Sequence, residues 1–305
     1  MNALLKLRGI DCVSRFDNCF DIEQIVVHNA GMQIDALRSL PRPLAYVLPG
    51  GGALAAYQVG VLDALTAAGL QPDRLIGVSA GSMNAALYAW SSDTDGVRRM
   101  ERIWAGVKRR DLLRVHPGRL ALALAGKRAS FLDNRHGIAF LRKHLGNRLI
   151  EHAPIPLTII ATDLATGRPF VLESGDVVFA IVASSAFPGV FPPIELDGHT
   201  LIDGGVVADV PLDVAADLGV ASVVVVTVPP LAPTAVPRHP VSVVLRSSTW
   251  GVEAHGRTIV ARPPDGLHVV EIPSQPSSVT TFAVGSAAAT IGEARRFTET
   301  WLHSD

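Results

Sequence analysis

From residue 44 onward the chain alternates between two apolar periodicities, and this alternation limits its folding more than any other feature. Short apolar runs bounded by Gly, Pro or Asp begin with LAYVL (44–48) and RLIGVS (74–79). Between them lies a longer segment, from about Ala53 to Ala68, whose apolar residues recur at three and four and which stops at Gly69. Short bounded runs mark strands and the three-four spacing marks helices. IPLTIIATDL, RPFVLE, HTLID and ASVVVVTV continue the strand series, and VPLDVAADLG reads as a helix with a glycine stop. The tail offers a helix near 241–259, a strand at LHVVEI and a last helix near 285–302. Strands separated by helices are joined by crossovers, which makes the sheet mainly parallel and requires helices on both faces. The expected fold class is therefore α/β.

With 305 residues, 48% of them hydrophobic and 18% charged, the chain can bury a large core and is not a disordered one. Its two cysteines, Cys12 and Cys19, exclude a disulfide framework and fit a reducing compartment. No Cys/His spacing suits a metal. The start has no secretory h-region and no apolar stretch is long enough to span a bilayer, so the expectation is a cytoplasmic chain. Residues 1–43 read as an N-terminal extension packed on a domain covering 44–305, within which the proline-rich 229–240 is a connector.

Charge is unevenly spread. Residues 97–149 carry 14 of the 27 Lys and Arg against Glu101, Asp111 and Asp133, about +11, which leaves about −12 on the remainder. The segment reads as a basic helical insertion or cap, and RLALALAGKRASF (119–131) within it alternates apolar residues between basic ends. A solvated pair of helices is the plainer account; peripheral contact with an anionic membrane is the functional one. No nucleic-acid partner is expected.

A nucleophile is legible at Ser79, where Gly77, Ser79 and Gly81 form G-x-S-x-G between a strand and an Ala-rich helix. A sharp strand-to-helix turn holds such a serine in a strained conformation, and glycines two residues to either side let the flanking backbone pass. The following helix directs its N-terminus at the serine, which favours negative charge there. A serine hydroxyl needs a base. His255 lies in the helical-looking WGVEAHGRT and His268 inside the strand LHVVEI, so neither is presented on a loop after a strand. Asp203 follows a short apolar strand, precedes Gly204 and Gly205, and opens a loop into the next helix. Burial can bring a carboxylate's pKa toward working pH and make it a general base. The tripeptide alone would equally suit a β-turn.

The glycine run Gly50, Gly51 and Gly52 lacks the third glycine of a dinucleotide fingerprint and the Lys-Ser/Thr of a phosphate loop. Consecutive glycines ahead of a helix can instead offer rigid backbone N–H groups to a developing oxyanion. The same run would also make a tight turn in an inactive protein.

Taken together, PGGGALAAYQVGVLDAL, IGVSAGSMNAAL, IIATDLATGRPFVLESGD, AIVASSAFPGVFPPIELDG and LIDGGVVADVPLDVA resemble, in order and spacing, the patatin-like phospholipase family. The resemblance covers residues 44–228, and the tail to about 302 more loosely. It implies a three-layer α/β/α fold and a serine hydrolase with a Ser-Asp dyad that cleaves acyl esters of lipids without histidine, metal or cofactor. Ser79 would be the nucleophile, Asp203 the base, and the N–H groups around Gly50, Gly51 and Gly52 the oxyanion hole. Family members often carry a cation and a glycine where this chain has Leu54 and Ala55, and a cation where it has Val182. The substrate must present an acyl chain, for which ALALAG and AFPGVFPP offer apolar lining. Two other readings compete: a His-dependent α/β-hydrolase acting on small esters through His255 or His268, and a non-catalytic lipid-binding protein on the same fold.

Overall fold

The computed structural model of the chain describes residues 33–108, 118, 122, 125–230, 238, 240–277 and 284–304. Most of the N-terminal extension with both cysteines, the middle of the basic segment and most of the proline-rich connector lie outside the described residues. A short helix, α1 (Gln33–Arg38), precedes β1 (Leu44–Leu48); a 3-10 turn over Gly52–Ala55 leads into α2 (Ala56–Ala67). Next come β2 (Arg74–Val78), α3 (Ala80–Ala89), α4 (Thr94–Gly106) and α5 (Arg135–Leu145). After these, β3 (Leu157–Asp163), β4 (Arg168–Leu172) and α6 (Val177–Ser184) lead to β5 (Ile194–Leu196) and β6 (His199–Asp203). The remainder is α7 (Gly205–Ala208), α8 (Leu212–Asp217), β7 (Ser222–Val225), α9 (Pro240–Ala261), β8 (His268–Glu271) and α10 (Ala287–Leu302).

The eight strands form one sheet. Its body, in the order β3-β2-β1-β7-β8, is parallel. Alternation along β1 sorts the two faces, because successive side chains of a strand point opposite ways. Tyr46 and Leu48 join Leu62 and Leu65 of α2 and Ile291 of α10 in one core, to which Ile34 and Leu37 of α1 also belong. Ala45 and Val47 join Leu212 and Ala215 of α8, with Ile259 and Val260 of α9 packed against them on the other face. This is the three-layer α/β/α arrangement with a mainly parallel sheet. No described helix is long and apolar enough to cross a membrane.

Three strands depart from the parallel pattern. β4 runs antiparallel to β3, β6 antiparallel to β3, and β5 antiparallel to β6. Short connections explain the β3–β4 and β5–β6 pairs, since a crossover needs a dozen residues or more and a hairpin only two. The β5–β6 turn is Asp197-Gly198, both at positive φ (50° and 82°), the backbone that two-residue hairpin turns require. Strand β5 and helix α6 are additions to the elements expected from periodicity.

The pairing of β3 sets up the functional region. β4 occupies one edge of β3 over residues 159–163. Along the other edge, residues 157–160 pair with β2 and residues 161–163 with β6. Val78 is opposite Ile160 and Asp203 is opposite Ala161, so the C-terminal ends of β2 and β6 meet head-on above adjacent residues of one strand. Ser79 and Asp203, 124 positions apart in sequence, are thereby neighbours.

Candidate active site

Ser79 follows β2 and caps α3 with φ 51° and ψ −127°, a positive φ in a non-glycine residue. Such a conformation costs on the order of 1–3 kcal/mol and persists only where the surroundings enforce it. Here the enforcement is visible. Ser79 N–H donates to Ser184 Oγ at 2.8 Å, and that hydroxyl donates to Ile160 O at 2.6 Å, tying the turn to α6 and β3. The flanking glycines have no room for a side chain: a Cβ on Gly81 would lie 2.1 Å from Leu48 O, and one on Gly77 2.5 Å from Ser82 Cα.

Ser79 Oγ donates to Asp203 Oδ2 at 2.7 Å. The other oxygen, Oδ1, accepts Gly205 N–H at 2.9 Å, and Asp203's own backbone is fixed by Thr162 Oγ1 at 2.9 Å and by Ala186 O at 3.1 Å. Gly204 packs so tightly that a Cβ there would lie 2.1 Å from Ile160 O. Asp203 is 4% exposed, and burial pushes its carboxyl up to about 6 against the lowering effect of the hydrogen bonds from Ser79 and Gly205. A carboxylate titrating there is ionised at neutral pH yet basic enough to take a proton.

The glycine run borders the same cleft, but its three N–H groups differ. That of Gly50 donates to Asp209 Oδ1 at 2.8 Å, contrary to the expectation that all three glycines offer theirs to a substrate. Among the described residues no hydrogen bond engages the N–H of Gly51, which caps the 3-10 turn into α2, or of Gly52, which begins it. Asp209 was not singled out from the sequence. Buried at 8% exposure, it is pushed up to about 7 by burial and by the charge of Asp203, opposed by the bond from Gly50.

The cleft, about 410 Å³, runs from Ser79 and Asp203 beneath α9. Its walls are largely apolar, among them Leu54, Phe187, Val206, Val210, Val252 and Val260, with Glu253, Arg257 and Glu271 as polar members. Leu54 is thus wall, 4% exposed, whereas Val182 is buried in α6 and is not part of the lining. His255 and His268 are exposed and neither borders the cleft. Of the apolar stretches expected to line it, AFPGVFPP contributes Phe187, while half of ALALAG lies outside the described residues and its described members, Leu122, Ala125 and Gly126, do not border the cleft. No group of three or more His, Cys, Asp or Glu among the described residues is arranged to hold a metal ion.

Comparison with known proteins shows what the chain is similar to. The chain is 33% identical over 193 residues to an uncharacterised NTE family protein of Mycobacterium tuberculosis, covering 60% of this chain and 49% of that one. It is 29% identical over 187 residues to the neuropathy target esterase sws of Drosophila melanogaster, covering 61% of this chain and 13% of that one. These matches span half or less of each relative's length. Human GIVD cytosolic phospholipase A2, solved in complex with methyl gamma-linolenyl fluorophosphonate, aligns over 88% of this chain and 60% of its own, at 13% identity and a TM-score of 0.40. Residues 46–216, more than half of the chain, match the family model described as patatin-like phospholipase. That match runs from β1 through the glycine run, the Ser79 turn and the Asp203 loop into α8, and by it the chain belongs to the patatin-like phospholipase family.

Proposed function

We propose that the chain is a lipid acyl hydrolase of phospholipase A or lysophospholipase type in which Ser79 is the nucleophile and Asp203 its base. The observation that carries this reading is the 2.7 Å hydrogen bond from a serine at positive φ to a buried carboxylate, at the end of an apolar cleft. As Ser79 Oγ attacks the ester carbonyl carbon, its proton passes to Asp203 Oδ2. The N–H groups of Gly51 and Gly52 receive the negative charge that develops on the carbonyl oxygen. Collapse of the tetrahedral species breaks the bond to the leaving alcohol, which takes the proton from Asp203 and leaves an acyl-Ser79 ester. Asp203 then deprotonates a water that attacks this ester, and Ser79 regains its proton as the fatty acid departs. The apolar cleft suits an acyl chain, and the exposed Arg98, Arg102, Arg135 and Lys143 of the basic segment suit an anionic lipid surface.

The test is labelling with an alkyl fluorophosphonate followed by peptide mass mapping. The wild type should be modified at Ser79, and Asp203→Ala should react at least about a hundredfold more slowly, the lower end of what general base catalysis supplies. Equal labelling of the two proteins would remove Asp203 from the mechanism, and modification elsewhere would remove Ser79.

A further inference from the structure

Asp209 is a second buried carboxylate in the cleft, and the acyl-transfer scheme gives it no task. Its one backbone partner is informative. Gly50 N–H, which donates to Asp209 Oδ1 at 2.8 Å, belongs to the peptide unit whose carbonyl, Pro49 O, accepts from Gln58 Nε2 at 2.8 Å. One peptide plane is therefore gripped at both ends, and it cannot rotate without breaking both bonds.

The Gln58 side of this clamp has a fixed sense. Trp104 Nε1 only donates, so Asn84 presents Oδ1 to it (2.8 Å) and turns Nδ2 toward Ala55 O and Gln58 Oε1 (2.8 and 2.9 Å). Gln58 must then aim Nε2 at Pro49. Gln58 and Asn84 have no solvent exposure, so no water competes for these groups. The Asp209 side alone carries a group that titrates.

We propose that Asp209 is a positioning residue for acyl transfer: with Gln58 it clamps the Pro49–Gly50 peptide so that Gly51 and Gly52 present their N–H groups to the oxyanion, and it does so as a neutral acid beside the ionised Asp203. The proposal rests on the hydrolase reading. Its geometric basis is the crowding of the two carboxyls around Gly205, where a Cβ would lie 3.1 Å from Asp209 Oδ1 and 3.2 Å from Asp203 Oδ1. Two carboxylates that share a buried site do not both ionise readily. Asp203, pushed only to about 6, loses its proton first, and its charge helps hold the proton on Asp209 until about 7. The other charged groups bordering the cleft are Glu253 and Arg257 of α9, which pair with each other at 2.7 Å, and Glu271 of β8, bonded to Thr227 Oγ1 at 3.2 Å. A protonated Asp209 still accepts from Gly50 through its carbonyl oxygen. An ionised one sets a second negative charge beside the forming oxyanion: a Cβ on Gly50 would lie 2.9 Å from Asp209 Oδ1 and 3.7 Å from Ser79 Oγ.

The experiment compares wild type, Asp209→Asn and Asp209→Ala between pH 5 and 9, reading the fluorophosphonate labelling rate and kcat and KM on a soluble p-nitrophenyl acyl ester. The wild-type rate should rise through the ionisation of Asp203 and decline through that of Asp209. Asp209→Asn, with an acceptor oxygen and no ionisation, should recover most of the rate lost in Asp209→Ala and show no alkaline decline. Asp209→Ala should lose about tenfold or more in kcat with KM little changed, as expected when reacting groups are misplaced by a fraction of an ångström. The Gly50 amide resonance should titrate near neutral pH in the wild type and not in Asp209→Asn, a readout independent of turnover. Equal labelling of Asp209→Ala and wild type, or an alkaline decline that persists in Asp209→Asn, would overturn the positioning role alone. A wild type that is not labelled at any pH would overturn the hydrolase reading and this role with it.

Discussion

Replacing Asp203 with Asn should make the protein more stable at pH 8 while removing its proposed base. The carboxyl is pushed by burial to about 6 from an ordinary 3.8, the value it regains in the unfolded chain. Between these two values the folded protein retains a proton that the unfolded chain has released. The unfolded state then binds fewer protons, and stability falls as pH rises through this window. At about 1.4 kcal/mol per pH unit, a displacement of roughly two units costs about 3 kcal/mol once the pH is above both values. Asn cannot ionise, and it keeps an oxygen for the Gly205 N–H now bonded at 2.9 Å. Asp203→Asn should therefore melt about 5 °C higher than the wild type at pH 8, with most of the gain gone at pH 4. Thermal unfolding followed by circular dichroism at the two pH values measures it, and fluorophosphonate labelling of the same samples should show the loss of reactivity. A gain of equal size at both pH values, or a loss at pH 8, would refute the idea that the fold holds this carboxylate against its desolvation cost.

Ser79→Gly should be more stable than Ser79→Ala: both remove the hydroxyl, but only glycine adopts φ 51° without strain, leaving about 1 kcal/mol after its backbone entropy is subtracted. Denaturant midpoints in the reverse order would show that the turn is unstrained. Vesicle flotation at low salt should show stronger binding to anionic than to neutral liposomes, at about 1 kcal/mol for each Lys or Arg near the surface, and the preference should fade as salt is raised. Equal binding to both would leave the basic segment as a solvated face.

The parts of this molecule that were legible in its sequence are those where one residue type answers one local constraint. Gly77 and Gly81 around Ser79 are needed because Ser82, Ala85 and the Leu48 carbonyl crowd their Cα atoms, and Gly204 after Asp203 because the Ile160 carbonyl does the same. What escaped reading depends on distant or ambiguous signals. Helix α6, VVFAIVAS, is apolar almost throughout, so its period cannot separate a buried helix from a strand. Asp197-Gly198 was a hairpin signal in plain view, but the three-residue β5 before it is too short to show alternation. The three glycines look equivalent in sequence; only backbone direction reveals that Gly50 donates to a side chain 159 residues away. Asp209 carries no local mark for the same reason.

The head-on meeting of β2 and β6 gives the two halves of the site unequal security. Ser79 hangs from a strand held along both edges, by β1 and by β3. Asp203 hangs from one that pairs with β3 over three residues and otherwise only with the short β5 at the margin of the sheet. Fraying of that marginal hairpin would withdraw the carboxylate and leave the serine's strand standing. A molecule built this way can fall silent through a small reversible opening at its edge, so that the temperature at which it stops working reports the hairpin, and the temperature at which it melts reports the core.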